Sequence, residues 1–303
     1  MQTRRVALKV DVDTFRGTRE GVPALVAALK RHGAGATFLF SLGPDHTGRA
    51  LRRIFRPGFL KKALRTSVGA NYGWKTLCYG VLLPGPHIGR RAGDEMRRVR
   101  DAGFEVGIHT HDHVLWQDHV MHKDARWTKQ QMQLAADEFR AVFGVDAATH
   151  GAAGWQMNDC AFQFEDELGL RYCSDGRGTH PFIPVINNRP LRCVQLPTTL
   201  PTFDEVIGLD GCTEHNVAQV MLAKSADSVD GSHVYTLHAE LEGMRLLAAF
   251  ETLLREWNAR GVKLCALADI YAELPADLPR HRIEFGEIPG RSGVLATQGA
   301  RAK

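Results

Sequence analysis

Apolar and polar positions along this chain follow two periods in turn. Residues 5–10 are mostly apolar and run into Val10-Asp-Val-Asp-Thr14, which reads as a buried strand ending in an acidic pair. Strand period two puts Asp11 and Asp13 on the same face. Over 18–32, Leu25, Val26 and Leu29 recur at helical spacing, Pro23 lies early and Gly33 follows the end, so a helix is predicted. A second strand follows at 36–40. The same reading gives helices at 94–102, 128–143 (opened by a Thr cap), 158–168 (opened by an Asn cap), 213–224 and 244–258. It gives strands at 104–108, 170–174, 193–196, 234–237 and 262–266. Strands alternating with helices predict a βαβ series and an α/β fold of seven or eight units. Residues 1–276 are expected to form one domain. The tail, 277–303, carries Gly and Pro with little periodicity and is expected to be loosely held.

One stretch breaks the series. Residues 46–83 hold eight Lys or Arg and no Asp or Glu. Leu51, Ile54, Phe55, Phe59, Leu60 and Leu64 lie between the basic residues at helical spacing, and Tyr72, Trp74 and Tyr79 follow. Cations on one face and apolar residues on the other describe an interfacial helix pair. Arg52, Arg53, Arg56, Lys61, Lys62 and Trp74 are the expected contacts with an anionic lipid surface. The plainer alternative is an amphipathic helix packed on the core with a solvated basic face. No nucleic-acid fold signature accompanies the charge, so no nucleic-acid partner is expected.

Composition changes this picture little. The 303 residues are 44% hydrophobic and 24% charged, with a net charge of +4, ordinary for a soluble globular chain able to bury a large core. Six cysteines lie scattered without a C-x-x-C pair and read as reduced, mostly buried thiols. No run of eighteen apolar residues suggests a membrane span, and the N-terminal residues reach an acidic strand end too soon for a signal peptide.

Candidate chemistry gathers at predicted strand ends: Asp11, Asp13, His109, Asp175 and His238. Val106-Gly-Ile-His-Thr-His-Asp-His-Val114 puts three histidines and one carboxylate into five positions as it leaves a strand. If the chain turns helical there, His109 and His113 share a face and can meet one cation. If it stays extended, His111 joins them instead. Active sites of βα barrels are built at the strand C-terminal rim from several strands. Ala152-Ala-Gly-Trp155 supplies small residues that let a backbone approach a ligand closely. Trp155 reads either as a core aromatic or as a sugar platform, and Arg177 either as a partner of Asp175 or as a phosphate contact.

The acidic pair, the His-x-x-x-His and the late Leu237-His238 resemble the polysaccharide deacetylase family, also called the NodB-homology or carbohydrate esterase 4 family. The resemblance implies a distorted (β/α)7 barrel and metal-assisted amide hydrolysis. It implies Asp13, His109 and His113 as ligands of one divalent ion; zinc, manganese and cobalt all accept such a set. It further implies Asp11 as general base, His238 as general acid and Asp175 as the carboxylate that orients that histidine. Ala153, Gly154 and Trp155 would line the oxyanion side, with Arg177 near the substrate.

Longer blocks point to one branch of the family: Asp11 to Pro23, Ser174-Asp-Gly-Arg-Gly178, Leu196 to Gly208 and Tyr235 to Gly243. That branch removes formyl groups from undecaprenyl phosphate carrying 4-deoxy-4-formamido-L-arabinose. It implies a peripheral enzyme on the cytoplasmic side of a bacterial inner membrane, serving lipid A modification and resistance to cationic peptides. Competing expectations are a deacetylase of another N-acylated sugar or glycan, and an inactive lipid- or sugar-binding barrel. Two departures stand out. The acidic pair is Asp-Val-Asp rather than Asp-Asp, and the third motif, His150-Gly-Ala-Ala-Gly-Trp155, lacks the arginine that usually holds the base. Arg16, Arg19 and Arg177 are candidates to replace it.

Overall fold

The strand β1 (Arg5–Val12) is buried along all but its first residue, and the sheet is arranged around it. The computed structural model describes residues 4–50, 68–226, 231–291 and 293–302. Further strands of the main sheet are β2 (Thr37–Ser41), β3 (Glu105–Thr110), β4 (Thr149–His150) and β5 (Tyr172–Cys173). A separate hairpin, β6 (Ile183–Ile186) and β7 (Arg189–Pro190), precedes β8 (Val194–Gln195), β9 (Ser232–His238) and β10 (Lys263–Cys265). Along one edge β1 pairs in parallel with β9, from Arg5↔Ser232 to Asp11↔His238. Along its other edge it pairs with β10 at its start and β2 at its end. Parallel pairing continues through β2, β3, β4, β5 and β8. Beyond β8 the chain returns to β9: the Thr199 and Leu200 N–H groups both donate to Val234 O, at 3.1 and 3.3 Å. Thr198 and Thr236 join their hydroxyls at 2.7 Å. The sheet thus curls onto itself through a short contact, which makes the barrel a distorted one.

Period two sorts the residues of β1. Val6, Leu8, Val10 and Val12 point outward, into a core shared with Val22, Leu25 and Leu29 of the helix Val22–Arg31. Ala7, on the opposite face, packs with Tyr172, Leu196 and Val234 and plugs one end of the barrel. Lys9 and Asp11 follow on that inner face, towards the strand C-terminal rim. A strand buried on both faces needs apolar residues throughout, so two buried charged residues here are conspicuous.

Helix ends follow capping chemistry. The helix Ala125–Phe143 starts at Asp124, whose side chain accepts from Trp127 N–H, and it stops at Gly144 with φ 74°. Thr128 is therefore not the expected cap. It sits one turn in and donates back to Asp124 O. The Asn158 cap of the helix Asp159–Leu168 is as expected, with its side chain accepting from Ala161 N–H.

The tail differs most from expectation. β11 (Arg280–Gly286) and β12 (Leu295–Arg301) pair antiparallel, and β11 also pairs in parallel with β6. With β7 they form a second sheet, in the order β12-β11-β6-β7. Only a few tail side chains reach the core, chiefly Leu295 and Ala296 at 1% and 0% exposure, so the apolar signal is faint. All six cysteines are free thiols, with the Cys173 and Cys193 sulfurs 3.3 Å apart.

Among the described residues no helix is long and apolar enough to cross a membrane. Residues 51–67 of the basic insert, which include Arg52, Arg53, Arg56, Lys61 and Lys62, lie outside the described residues. Its later part holds Trp74, Val81, Leu82 and Leu83, exposed by 76, 51, 78 and 38%.

Candidate metal centre and active site

His109 reaches the site through a defect in the ladder. Phe40 pairs with Ile108 but Ser41 pairs with Thr110, so His109 is an extra residue between them. Such a bulge re-aims a side chain. The His109 Nδ1 lies 2.6 Å from Gly151 O, a contact that requires the proton on that nitrogen. Its Nε2 then presents a lone pair, 3.2 Å from Asp13 Oδ1. Two residues after the strand, Asp112 caps the helix His113–His119 by accepting from Leu115 N–H. His113 is thus the first helical residue, and its Nε2 stands 3.3 Å from the same Asp13 oxygen. The two imidazoles stack with centroids 5.3 Å apart.

The Asp13, His109 and His113 ligand atoms all lie within 4.8 Å of one another. Asp13 Oδ1 is buried and makes no hydrogen bond of good geometry. The orphaned carboxylate oxygen and the Nε2 atoms of His109 and His113 face one another, as the ligands of one cation would. The donor set, one oxygen and two imidazole nitrogens, fits a divalent transition ion. Burial would raise the Asp13 pKa, but His113, His109 and His238 outweigh it and hold the carboxyl well below its usual range. His111 leaves the set: its ring packs edge-on against His87 at 6.0 Å.

Asp11 and His238 are register neighbours on adjacent parallel strands. Asp11 Oδ1 is buried without a hydrogen-bond partner, 3.8 Å from His109 Nδ1. Its other oxygen lies 3.3 Å from Lys9 Nζ. The His238 N–H donates to Glu242 Oε2 at 2.9 Å, and its Nδ1 is buried without a partner. Glu242 also accepts from the Tyr235 hydroxyl, and burial pushes its carboxyl up to about 7 against the opposing pull of His238. Glu240 supports the metal side. Its Oε1 accepts from Asp13 N–H at 3.1 Å, Thr14 N–H at 2.8 Å and the Thr14 hydroxyl at 2.7 Å. A Cβ at Gly17 would fall 1.9 Å from that oxygen, so only glycine fits there. Lys9, Glu240 and Glu242 had no expected role. The sequence signals were a lysine inside an apolar strand and two acidic residues directly after the His238 strand.

Asp175 is placed differently from the expectation that it orients His238. Its Oδ1 lies 2.6 Å from His150 Nδ1 and accepts from Ala152 N–H at 2.9 Å, while Oδ2 accepts from Gln195. His150, Glu165, Cys173 and Asp175 form a second fully enclosed cluster. Burial disfavours charge on His150, but Asp175 and Glu165 outweigh it and raise its pKa to about 9. Glu165 is pushed well above the usual carboxylate range by burial and by the Asp175 charge. His150 reaches both Asp175 and Glu165, at 2.6 and 3.2 Å, so the three satisfy one another by hydrogen bonds. The role of the cluster is to seat the turn after β4, through Ala152.

That turn carries strain. Trp155 has φ 55°, in the left-handed region that bulky residues avoid. It is held by its indole N–H, which donates to Thr198 Oγ1 at 3.0 Å. Trp155 is only 1% exposed, so it is a core aromatic and not an open sugar platform. Its backbone N–H donates to Ala152 O, which removes it from the expected oxyanion donors and leaves Ala153 and Gly154. Arg177 reaches neither Asp175 nor an open phosphate site: it pairs with Glu205 at 2.6 Å and lies over the Trp155 ring at 4.9 Å. Arg291, from the tail, also pairs with Glu205 and lies over the same ring at 4.4 Å. The other arginines considered for the base are engaged too, Arg16 with Glu20 and Arg19 with Glu95.

Known proteins agree with this architecture. The polysaccharide deacetylase family matches residues 1–173. The probable 4-deoxy-4-formamido-L-arabinose-phosphoundecaprenol deformylase ArnD of Shewanella sediminis is 37% identical over 298 residues, covering 97% of this chain and 94% of that one. The protein of the same description from Wigglesworthia glossinidia brevipalpis is 31% identical over 284 residues, covering 93% and 98%. The fold is shared with a Mycobacterium smegmatis protein classed as a polysaccharide deacetylase, with a TM-score of 0.58 at 16% identity over 89% of this chain and 90% of that one. With a family match over more than half its length and two relatives aligned nearly end to end, the chain belongs to the polysaccharide deacetylase family.

Proposed function

We propose that this chain is a metal-dependent amide hydrolase that removes the formyl group from 4-deoxy-4-formamido-L-arabinose-phosphoundecaprenol. The products are formate and the 4-amino-4-deoxy-L-arabinose lipid, which bears the positive charge used to modify lipid A. The substrate class rests on the two relatives, whose similarity to this chain is nearly full length. The chemistry rests on one observation above all: Asp13, His109 and His113 converge within 4.8 Å, beside an Asp11 carboxylate with a buried, unpartnered oxygen.

Asp13, His109 and His113 would hold the divalent ion; zinc, manganese and cobalt all suit the set. When bound, such an ion supplies Lewis acidity and lowers the pKa of a water ligand from 15.7 towards ~7. Asp11 takes a proton from the attacking water through its free Oδ1. The water oxygen bonds to the formyl carbon, and the C–N bond breaks. His238, across the strand pair from Asp11, gives a proton to the departing nitrogen, without which the amine is a poor leaving group. Glu242 fixes the His238 backbone by accepting from its N–H. Backbone N–H groups of Ala153 and Gly154 are the candidate donors to the oxyanion.

The lipid-phosphate substrate calls for work at a membrane surface, on the cytoplasmic side of the inner membrane. The basic insert supplies the charge, worth ~1 kcal/mol per Lys or Arg near anionic lipid. Exposed Trp74 and Leu82 supply apolar contact beside it.

Mass-spectrometric detection of formate and the free amino-sugar lipid tests the assignment, with wild type and Asp11→Ala, before and after chelation. Wild type should turn over and lose activity on chelation. Asp11→Ala should fall by at least 100-fold, in the range for removal of a general base. Turnover retained in Asp11→Ala removes the base assignment, and no formate from wild type removes the substrate.

A further inference from the structure

Lys9 is 0% exposed, on the inner face of β1, two residues before Asp11. Its Nζ lies 3.3 Å from Asp11 Oδ2 and 5.3 Å from the centroid of the Trp155 ring. Among the described residues no hydrogen bond of good geometry reaches that Nζ. The charge is thus held by one carboxylate and one aromatic face. Isolated ammonium groups are not buried in this way, because the loss of hydration is too costly unless a partner recovers it.

The surroundings are shaped to admit this side chain. A Cβ at Gly151 would fall 2.7 Å from Lys9 Cε and 3.2 Å from Nζ, so residue 151 is a glycine on account of Lys9 as well as Leu39. The same Gly151 offers its carbonyl to His109 Nδ1. Lysine and metal ligand are therefore positioned by one residue. Arg16, Arg19, Arg177 and Arg291 have carboxylate partners elsewhere, in Glu20, Glu95 and Glu205.

We propose that Lys9 is the positioning residue for the base: its ammonium, buried beneath Trp155, ties down Asp11 Oδ2 and leaves Oδ1 turned towards the reacting water. The role that an arginine from a neighbouring loop would perform is carried out here from within the strand that bears the base itself. Strand period two makes this possible, since residues 9 and 11 project from the same face about 7 Å apart along the backbone. A lysine suits the place because its charge is compact and its stem unbranched.

This inference rests on the hydrolase reading and on Asp11 as base. Its test therefore includes a readout that needs no turnover. Lys9→Met keeps the length and removes the charge. Thermal midpoints of metal-free Lys9→Met, Asp11→Asn and the double variant form a cycle. Each single variant strands one charge, so each should melt lower than wild type, and the double variant should recover above both. Losses that simply add show the two side chains to be uncoupled and overturn the proposal. On the formamido-sugar lipid, Lys9→Met should lose on the order of 100-fold in kcat with KM and bound metal within twofold of wild type. A raised KM with unchanged kcat also overturns it. Should wild type release no formate, the substrate assignment fails, and the melting cycle still decides whether Lys9 and Asp11 act as a pair.

Discussion

At the scale of single residues, the site depends on buried charges whose partners are few and specific. His150 is the clearest thermodynamic case. Its pKa in the folded chain is raised from 6.5 to about 9, so the stability it contributes is complete below pH 6.5 and is lost as pH rises through 9. The size is on the order of 3 kcal/mol. Melting wild type and His150→Gln between pH 6 and pH 10 should show a decline in wild type that the variant lacks. Equal slopes would mean that His150 is not ionised in the fold. Spacing put His109 and His113 on one face if the chain turned helical, and the structure brings both to Asp13; the choice of Asp13 over Asp11 came from the family resemblance and not from spacing. The grip on Asp175 was not legible. His150 was read as part of a loop motif, and the Glu165 that joins it lies fifteen residues away on a helix. Nor was the orientation of His109 foreseeable, because it depends on a bulge, and period two alone would turn it differently.

At the scale of elements, the strongly periodic segments were readable and the weakly periodic ones were not. The inner and outer faces of β1 follow from alternation, and the helix Asp159–Leu168 follows from its Asn158 cap. By contrast, β11 and β12 pair through backbone hydrogen bonds with mostly polar, part-exposed side chains, and β7 is two residues long. Of these, β11 also takes a neighbour more than 90 residues away, at Arg280↔Ile183, beyond the reach of local pattern. The hairpin nevertheless bears on the site. Between its strands, Arg291 pairs with Glu205 at 2.7 Å and lies over Trp155, with a side chain only 12% exposed. Glu205 keeps Arg177 when Arg291 is removed, so the loss is smaller than the full cost of stranding a buried charge. Arg291→Ala should still lower the denaturant midpoint and quench or shift Trp155 fluorescence. A midpoint within 0.5 kcal/mol of wild type would leave the tail an appendage.

At the scale of the whole molecule, a barrel rim with a polar centre adjoins a segment of opposite character. The chain between β2 and the helix Ile88–Asp101 carries basic residues in its first half and exposed apolar residues in its second. Exposed Trp74 and Leu82 are accounted for if they meet lipid. Flotation with anionic liposomes tests this. Wild type should float, Trp74→Ser/Leu82→Ser should float less, and reversal of Arg52, Arg53, Lys61 and Lys62 to Glu should abolish flotation. Unchanged flotation of both variants would refute the lipid role. The alternation of strands and helices and the polar residues at strand ends were readable as a pattern. The way the barrel closes was not, since it depends on Thr198–Leu200 meeting Val234 and Thr236.

The account turns on a cation held by Asp13, His109 and His113 that makes formyl hydrolysis possible. Metal-stripped protein titrated with zinc, manganese or cobalt, with formate release from the formamido-sugar lipid followed at each point, tests this most directly. Release should start near zero and level off at one ion per chain, and Asp13→Ala should bind and release nothing over the same range. Full formate release from stripped protein, or a plateau unaffected by Asp13→Ala, would contradict it.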